Sequence, residues 1–242
     1  MTISRNDLKK FSSLKRKSKR NELGLFIVEG KKICSELIHS EFEIERLFST
    51  EKFKSEFPTA ELISSKDADR LSNLKNQSNV IGIVKIPTYD MPNDSEKITI
   101  YLDDIKDPGN MGTIIRSLDW FGYENIFCSS NCVDVFNNKT VMASMGSVFR
   151  VKSHTITLGE LCKKFAFDDI IGATLDGENL YSYPFDKKSI IVLGNEANGI
   201  TLDTLNQINK SVSIPKKGNA ESLNVSTATS IILNEINRKT NY

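Results

Sequence analysis

Short apolar segments that predict β-strands alternate with helical patterns along most of this 242-residue sequence. In its second half, strands are predicted at residues 98–102, 125–128, 151–155, 170–173, 189–193 and 211–214, and helices at 111–121, 137–146, 158–165 and 201–208. Alternation of this kind predicts a parallel sheet with helices on both faces, because parallel strands need helical crossover connections. In such α/β sheets, ligands bind at the carboxyl ends of the strands.

A polar, proline-containing segment separates this half of the chain from an earlier α/β pattern. Residues 1–86 contain predicted strands at 25–30, 44–48, 61–63 and 80–86, with helical patterns between them. Pro87 and Pro92 then stand among polar and acidic residues, which is the composition of a linker. We therefore predict a domain of residues 1–86, a linker of residues 87–97 and a second domain of residues 98–242.

The charged residues are unevenly distributed. Residues 1–20 contain eight lysines and arginines but one acidic residue, Asp7, although the formal net charge of the whole chain is only +1. A basic N-terminal arm of this kind attracts a phosphate backbone. A solvated helix face has the same composition, so charge alone leaves both interpretations open.

Composition also argues against several classes of protein. No apolar run approaches the ~18 residues of a membrane span, and the N-terminus lacks the apolar core of a signal peptide. The four cysteines show no disulfide spacing, and only His39 and His154 could join them in a zinc site. We expect a cytoplasmic protein without a metal ion or a membrane partner.

Three predicted strands of the second domain are each followed by a glycine-containing loop and the start of a helix. The loops begin at Asp103, Gly194 and Pro215, and the free backbone N–H groups of a helix start can meet a ligand. The polar side chains within or just beyond them are Asn110, Arg116, Glu196, Ser222 and Asn224. This set can position and polarise a substrate without a metal or an imidazole.

Other interpretations of these loops are less well supported. None has the lysine of a phosphate-binding P-loop or the G-x-G-x-x-G spacing of a dinucleotide site, which argues against a nucleotide-dependent oxidoreductase. Helix capping alone would explain Asn110. It would also explain Ser222, where the last helix is predicted to begin.

The loops resemble the motifs of a known family. Asp107–Arg116, DPGNMGTIIR, resembles the first motif of the SpoU (TrmH-type) RNA 2′-O-ribose methyltransferases of the SPOUT superfamily. LGNEANG at 193–199 is similar to the second motif, and residues 214–226 are similar to the third. FIVEG at 26–30 looks like the start of the family's small RNA-binding domain, which is related to ribosomal protein L30e.

The resemblance implies a deep trefoil knot at the C-terminus, S-adenosylmethionine (SAM) bound in that knot, and a homodimer with the site near the subunit interface. Carried onto this chain, the cofactor-binding positions are Thr174, Gly194, Ile214 and Leu223, of which the last two would flank the adenine. The catalytic motif positions are Asn110, Arg116, Glu196, Ser222 and Asn224. One departure is Ser117–Trp120, where the family often has Thr-Ala and small residues.

The expected reaction is an in-line displacement in which a ribose 2′-oxygen attacks the sulfonium methyl group. Arg116, from the same or the partner subunit, is expected to polarise the hydroxyl, and Asn110 and Glu196 to orient Arg116. The expected substrate is 23S ribosomal RNA, selected by the first domain. The alternatives are transfer RNA and a non-catalytic RNA-binding protein on the same scaffold.

Overall fold

The computed structural model describes residues 3–72, 74 and 78–240. Its helices are α1 (Arg5–Ser12), α2 (Lys17–Leu23), α3 (Lys31–Ile38), α4 (Ser65–Leu71), α5 (Pro108–Trp120), α6 (Asn138–Ser144), α7 (Leu158–Lys164), α8 (Leu202–Leu205) and α9 (Val225–Thr240). Its strands are β1 (Leu25–Glu29), β2 (Ile44–Ser49), β3 (Glu61–Leu62), β4 (Val80–Lys85), β5 (Ile98–Leu102), β6 (Asn125–Cys128), β7 (Lys152–Thr155), β8 (Asp169–Asn179), β9 (Ser189–Leu193) and β10 (Lys210–Ser213).

The chain divides into two compact units. Unit 1 comprises Met1–Thr88 and Asp134–Arg150, and unit 2 comprises Tyr89–Val133 and Val151–Tyr242. The sheet of unit 1 has the order β1-β4-β2-β3, in which β4 is antiparallel to both neighbours and β3 is parallel to β2. Apolar side chains cover both faces of this sheet, in one cluster that includes α3 and another that includes α1 and α4.

The basic N-terminal segment is folded, which differs from the predicted arm. Leu8, Phe11 and Leu14 are buried in the core of unit 1. The Arg20 side chain is also buried, and its Nη2 lies 2.6 Å from Asp134 Oδ2. The basic residues masked an amphipathic pattern, since the apolar positions between them face the core and most of the charges face solvent.

Residues 134–150 pack in unit 1, although the sequence pattern assigned them to the second domain. The ring of Phe136 lies 4.7 Å from that of Phe26, measured between centroids, and the ring of Phe149 lies 5.1 Å from that of Phe42. The periodicity predicts a helix here but does not specify which hydrophobic core the helix joins.

Unit 2 contains a six-stranded sheet in which every pairing is parallel, as predicted. The strand order is β10-β8-β9-β5-β6-β7. The carboxyl ends of β10, β8, β9 and β5 are therefore consecutive along one edge of the sheet. The loops that follow β5, β9 and β10 are the three singled out by sequence.

Strand β8 is longer than the predicted strand at 170–173 and is interrupted opposite β10. Ser211 pairs with Gly172, but the next residue, Val212, pairs with Glu178, so residues 173–177 form an excursion from the ladder. A Cβ atom on Gly177 would lie 2.6 Å from the backbone of Ser211 and Val212, so the two chain segments approach closely there. The trefoil knot stays a prediction; this excursion and the β10–α9 segment are the elements it would involve.

Candidate active site

A chain of hydrogen bonds links three of the predicted site residues at the edge formed by the strand ends. Asn110, at the start of α5, donates from Nδ2 to Glu196 Oε1 at 2.7 Å. Asn224 donates from Nδ2 to Asn110 Oδ1 at 2.8 Å. The loops after β5, β9 and β10 therefore meet through side chains from residues as far apart as 110 and 224.

Asn224 also begins helix α9, where the sequence had predicted Ser222. Its Oδ1 accepts hydrogen bonds from the Ser226 backbone N at 2.9 Å and from Ser226 Oγ at 2.6 Å. The Ala228 backbone N donates to the Asn224 carbonyl at 2.9 Å. Serine and asparagine are both favourable caps, but the helix is capped two residues later than the polar pattern suggested, so the prediction that Ser222 caps it is wrong.

The groups at the two ends of this series of hydrogen bonds, Glu196 and the start of α9, determine the direction of each bond in it. An ionised glutamate can only accept, and the N-terminal N–H groups of a helix can only donate. Each intervening amide must therefore turn its NH₂ towards Glu196 and its oxygen towards α9. The orientation of both asparagine side chains therefore follows from the chemistry of the groups at the two ends.

Arg116 lies away from this chain of hydrogen bonds. It is six positions after Asn110 on α5, which places the two side chains about 120° apart around the helix axis. Its side chain is exposed and, within the described residues, makes no hydrogen bond or ion pair. The expectation that Asn110 and Glu196 orient Arg116 is therefore not met within one chain, because Asn110 bonds to Glu196 and to Asn224 instead.

The four predicted cofactor residues lie on or after three adjacent strands. Thr174 is in the excursion of β8, and its Oγ1 is buried with no hydrogen-bond partner in the described part of the chain. Gly194 follows β9, and a Cβ atom there would lie 2.4 Å from the backbone of Gly199. Ile214, partly exposed, follows β10, and Leu223 is 48% exposed. An unpaired hydroxyl and accessible apolar surface fit an adenosine-containing ligand. Gly194 is required by the close approach of this loop to itself.

A groove of about 490 Å³ lies beside the hydrogen-bonded chain. Its lining residues come from α5, α9 and the segment after β8, and they are Thr113, Tyr181, Ser226, Thr227, Ser230, Ile231 and Asn234. The two helices touch here through Ser117 Oγ and Ser230 Oγ, which are 2.9 Å apart. The residues Thr113, Arg116 and Trp120 form one exposed stripe along α5, and Trp120 is 84% exposed.

Sequence reasoning missed two residues that shape these loops, Asn195 and Asp103. Asn195 precedes Glu196 and makes three hydrogen bonds to backbone groups, whereas Asp103 directly follows β5 and accepts from the backbone N and the hydroxyl of Thr201. The available signal was a polar side chain within two residues of the end of a buried strand. In the described ranges, no group of three or more His, Cys, Asp and Glu side chains could hold a metal ion, and no helix has the length and apolarity needed to cross a membrane.

The parallel α/β unit with three polar loops at one sheet edge agrees with the motif resemblance to SPOUT-type RNA methyltransferases, and known families match both units. Residues 97–234 match the SpoU rRNA methylase family, and residues 5–83 match an MRM3-like substrate-binding domain. The chain belongs to the SpoU rRNA methylase family.

Relatives match over both units. The chain is 22% identical to the 23S rRNA (guanosine(2553)-2′-O)-methyltransferase RlmP of Bacillus subtilis over 93% of its own length and 94% of that protein. An uncharacterized tRNA/rRNA methyltransferase of Synechocystis is 29% identical over 70% of this chain and 65% of that protein. The chain therefore spans slightly less than two thirds of the Synechocystis relative.

Two solved structures are similar over nearly the whole chain. A TrmH-family protein from Porphyromonas gingivalis is 32% identical, with a TM-score of 0.87 over 98% of this chain and 99% of that one. An rRNA methyltransferase from Sinorhizobium meliloti, solved with S-adenosylmethionine bound, is 25% identical, with a TM-score of 0.85 over 99% and 98% of the two chains.

Proposed function

We propose that this protein is a SAM-dependent RNA methyltransferase that transfers a methyl group to a ribose 2′-hydroxyl of 23S ribosomal RNA. The observation that carries the proposal is the one-way chain of hydrogen bonds from α9 through Asn224 and Asn110 to Glu196. It joins the three motif loops of the family at the edge of the sheet where a ligand is expected. The name of the Bacillus subtilis relative supports the substrate, and the Sinorhizobium meliloti structure supports the cofactor.

Four residues are proposed to hold the cofactor, which supplies an activated methyl group when bound. The Thr174 hydroxyl lacks a partner among the described residues and can hydrogen-bond a polar group of the ligand. Gly194 offers its backbone polar groups to the ligand, and the neighbouring Gly199 backbone leaves no room for a side chain at this position. Ile214 and Leu223 offer accessible apolar surface on which an adenine can pack.

The remaining site residues are proposed to act on the ribose. Arg116 polarises the 2′-hydroxyl with its guanidinium cation and stabilises the negative charge that develops on the oxygen. Asn110 and Glu196 hold the ribose at near-attack distance. They do so through the second amide N–H of Asn110 and the second carboxylate oxygen of Glu196, which their mutual hydrogen bond does not use. Ser222, exposed in the loop before α9, positions the ribose from the other side.

The protein is proposed to act as a homodimer through the face formed by α5 and α9. Trp120 is 84% exposed and lies on the same helix as the groove-lining residue Thr113, so the indole and the groove offer neighbouring contact surface. A second copy of this chain would cover Trp120 and the partly exposed Ile231. Trp120→Ser is expected to shift the protein towards the monomer in sedimentation experiments, whereas an unchanged dimer would contradict this surface.

We further propose that Arg116 serves the site of the partner subunit, because α5 turns it away from Asn110 of its own chain. Mixed dimers of an Arg116→Ala protomer and a Glu196→Ala protomer test this directly. Complementation is expected to restore about one wild-type site per mixed dimer, although each parent variant is inactive. If the mixed dimers stay inactive, Arg116 and Glu196 act within the same chain.

Unit 1 is proposed to select the RNA, as the match of residues 5–83 to a substrate-binding domain supports. Exposed basic residues on and between its first two helices, Lys9, Lys10, Arg16 and Lys17, would contact phosphates. RNA affinity should then fall steeply as salt concentration rises. The four cysteines are free, which suits the reducing cytoplasm as the proposed compartment.

Transfer of labelled methyl groups from SAM to unmodified ribosomal and transfer RNA tests the proposed function. Label in 2′-O-methylribose of 23S RNA is expected, and Arg116→Ala should abolish it while leaving SAM affinity nearly unchanged. Label in transfer RNA alone would replace the substrate with the alternative. SAM binding without transfer to either pool would favour the non-catalytic RNA-binding protein, and loss of both would refute the proposal.

A further inference from the structure

The loop that carries Glu196 is folded around one side chain, that of the preceding residue, Asn195. The Asn195 Oδ1 accepts hydrogen bonds from the backbone N of Ala197 at 2.9 Å and of Asn198 at 3.0 Å. The backbone groups of Asn195 and Gly199 also form two reciprocal hydrogen bonds, at 2.8 and 2.9 Å. Because Glu196 lies between Asn195 and Ala197, the loop holds its backbone on both sides.

The same side chain joins this loop to the loop after β5. Asn195 Nδ2 donates to the carbonyl oxygen of Asp104 at 2.8 Å. Asp104 has a φ of 58°, in the left-handed region, and its backbone N donates to Ser129 Oγ at 2.9 Å. A residue other than glycine adopts such a backbone only where its surroundings hold it, so the acceptor that Asn195 uses is itself fixed.

A buried carboxylate closes the other end of the loop. Asp103, which is 2% exposed, accepts through Oδ2 from the backbone N of Thr201 at 2.8 Å and from Thr201 Oγ1 at 2.7 Å. The backbone N of Asp103 donates to the carbonyl oxygen of Leu193 at 2.8 Å. The loop after β9 is therefore attached to residues 103 and 104 just after it begins and again where it ends.

We propose that Asn195 is a positioning residue that sets Glu196 against Asn110, with Asp103 fixing the far end of the loop. Glu196 and Asn110 belong to loops that follow two neighbouring strands, β9 and β5. Their 2.7 Å contact requires these loops to keep a constant separation. The Asn195–Asp104 hydrogen bond spans that separation one residue before Glu196. This inference rests on the proposed function, because it assigns Asn195 to the alignment of that site.

Two substitutions separate the two interactions of the Asn195 side chain, the one within its own loop and the one with Asp104. Asn195→Asp keeps an oxygen for the Ala197 and Asn198 N–H groups but places an oxygen instead of an NH₂ against the Asp104 carbonyl. Asn195→Ala removes both interactions. Asn198→Ala is the matched control, since its side chain is exposed in the same loop and makes no hydrogen bond within the described residues.

The rate of a single methyl transfer, with SAM and RNA both saturating, is the first measurement. Asn195→Asp is expected to lower this rate between about 10-fold and 100-fold, the size of effect expected for a site misplaced by about 1 Å. Asn198→Ala is expected to keep the wild-type rate, and the melting temperatures of both variants to stay near that of the wild type. An unchanged rate in Asn195→Asp would overturn the proposal.

A double-mutant cycle shows whether Asn195 acts through Glu196. In a Glu196→Gln background, adding Asn195→Asp is expected to change the residual rate by less than about 3-fold, because residues that act as a unit are not additive. If the two losses multiply instead, Asn195 acts on something other than Glu196 and the proposal fails.

Hydrogen exchange supplies a readout that does not depend on activity. The Ala197 and Asn198 amides are expected to be protected in the wild type and in Asn195→Asp, and to exchange freely in Asn195→Ala. Fast exchange in the wild type would refute the loop geometry. If the geometry holds but the wild-type chain methylates no RNA, both the proposed function and the positioning role fail. If the wild type and Asn195→Asp are equally active, only the positioning role fails.

Discussion

Replacing Asn224 with aspartate should separate the stability of this protein from its activity. Asn224 has two roles: its oxygen caps α9, and its NH₂ donates to Asn110. Aspartate keeps the capping oxygen but loses the donor. It also places an oxygen opposite the oxygen of Asn110, whose NH₂ is already committed to Glu196.

The expected stability changes follow from these contacts. Asn224→Ala removes the cap and should lower the free energy of unfolding by about 1 kcal/mol, the usual cost at such a position. For a chain of this length that corresponds to a fall in melting temperature of about 2–4 °C. Asn224→Asp should stay within about 0.5 kcal/mol of the wild type, because a negative charge near a helix N-terminus offsets the lost hydrogen bond to Asn110.

The activity, unlike the stability, should fall in both variants. Without the Asn224 donor, Asn110 keeps its hydrogen bond to Glu196 but loses the one that ties its oxygen to the start of α9, and methyl transfer should fall about 100-fold in both variants. Thermal unfolding and single-turnover transfer, with the exposed Asn6→Asp as a control for the same chemical change, measure both quantities. An aspartate variant as unstable as the alanine variant would refute the cap, and one with the wild-type rate would refute the role of the hydrogen-bonded chain.

Three further outcomes can be measured. Gly194→Ala should weaken SAM binding at least about 10-fold by calorimetry, because its Cβ meets backbone at 2.4 Å, whereas Gly218→Ala, which has open space, should not. Asp134→Ala should destabilise unit 1 by about 3–5 kcal/mol in urea titrations, because the buried Arg20 cation loses its carboxylate partner. The control Glu22→Ala, which breaks an exposed ion pair with Lys19, should cost less than about 1 kcal/mol. Burial raises the pKa of Glu96 to about 7, so between about pH 4.5 and 7 the folded state binds more protons than the unfolded state. The free energy of unfolding should therefore fall as pH rises through this range, and Glu96→Gln should remove this contribution.

Local sequence patterns predicted much of unit 2 because the information they need is local. Alternating apolar strands and helices predicted a parallel α/β sheet, and the six-stranded sheet confirms it. The three glycine-containing loops were recognised because each follows a predicted apolar strand directly. The motif resemblance then named the residues of the site.

Other features required the tertiary structure because they depend on contacts between distant residues. The helix at 138–144 was predicted, but periodicity could not assign it to the core of unit 1. Asn224, rather than Ser222, begins α9, since two good capping residues stand close together and local preference does not choose between them.

The sequence by itself determined the strands, the loops and the polar residues that the loops carry. Only the tertiary structure decided which of those residues meet. The order β10-β8-β9-β5 brings the three loops to one edge, where Asn110, Glu196 and Asn224 bond to one another and Arg116 points elsewhere. Strand order follows from the packing of the whole sheet, which the order of the motifs along the chain does not specify.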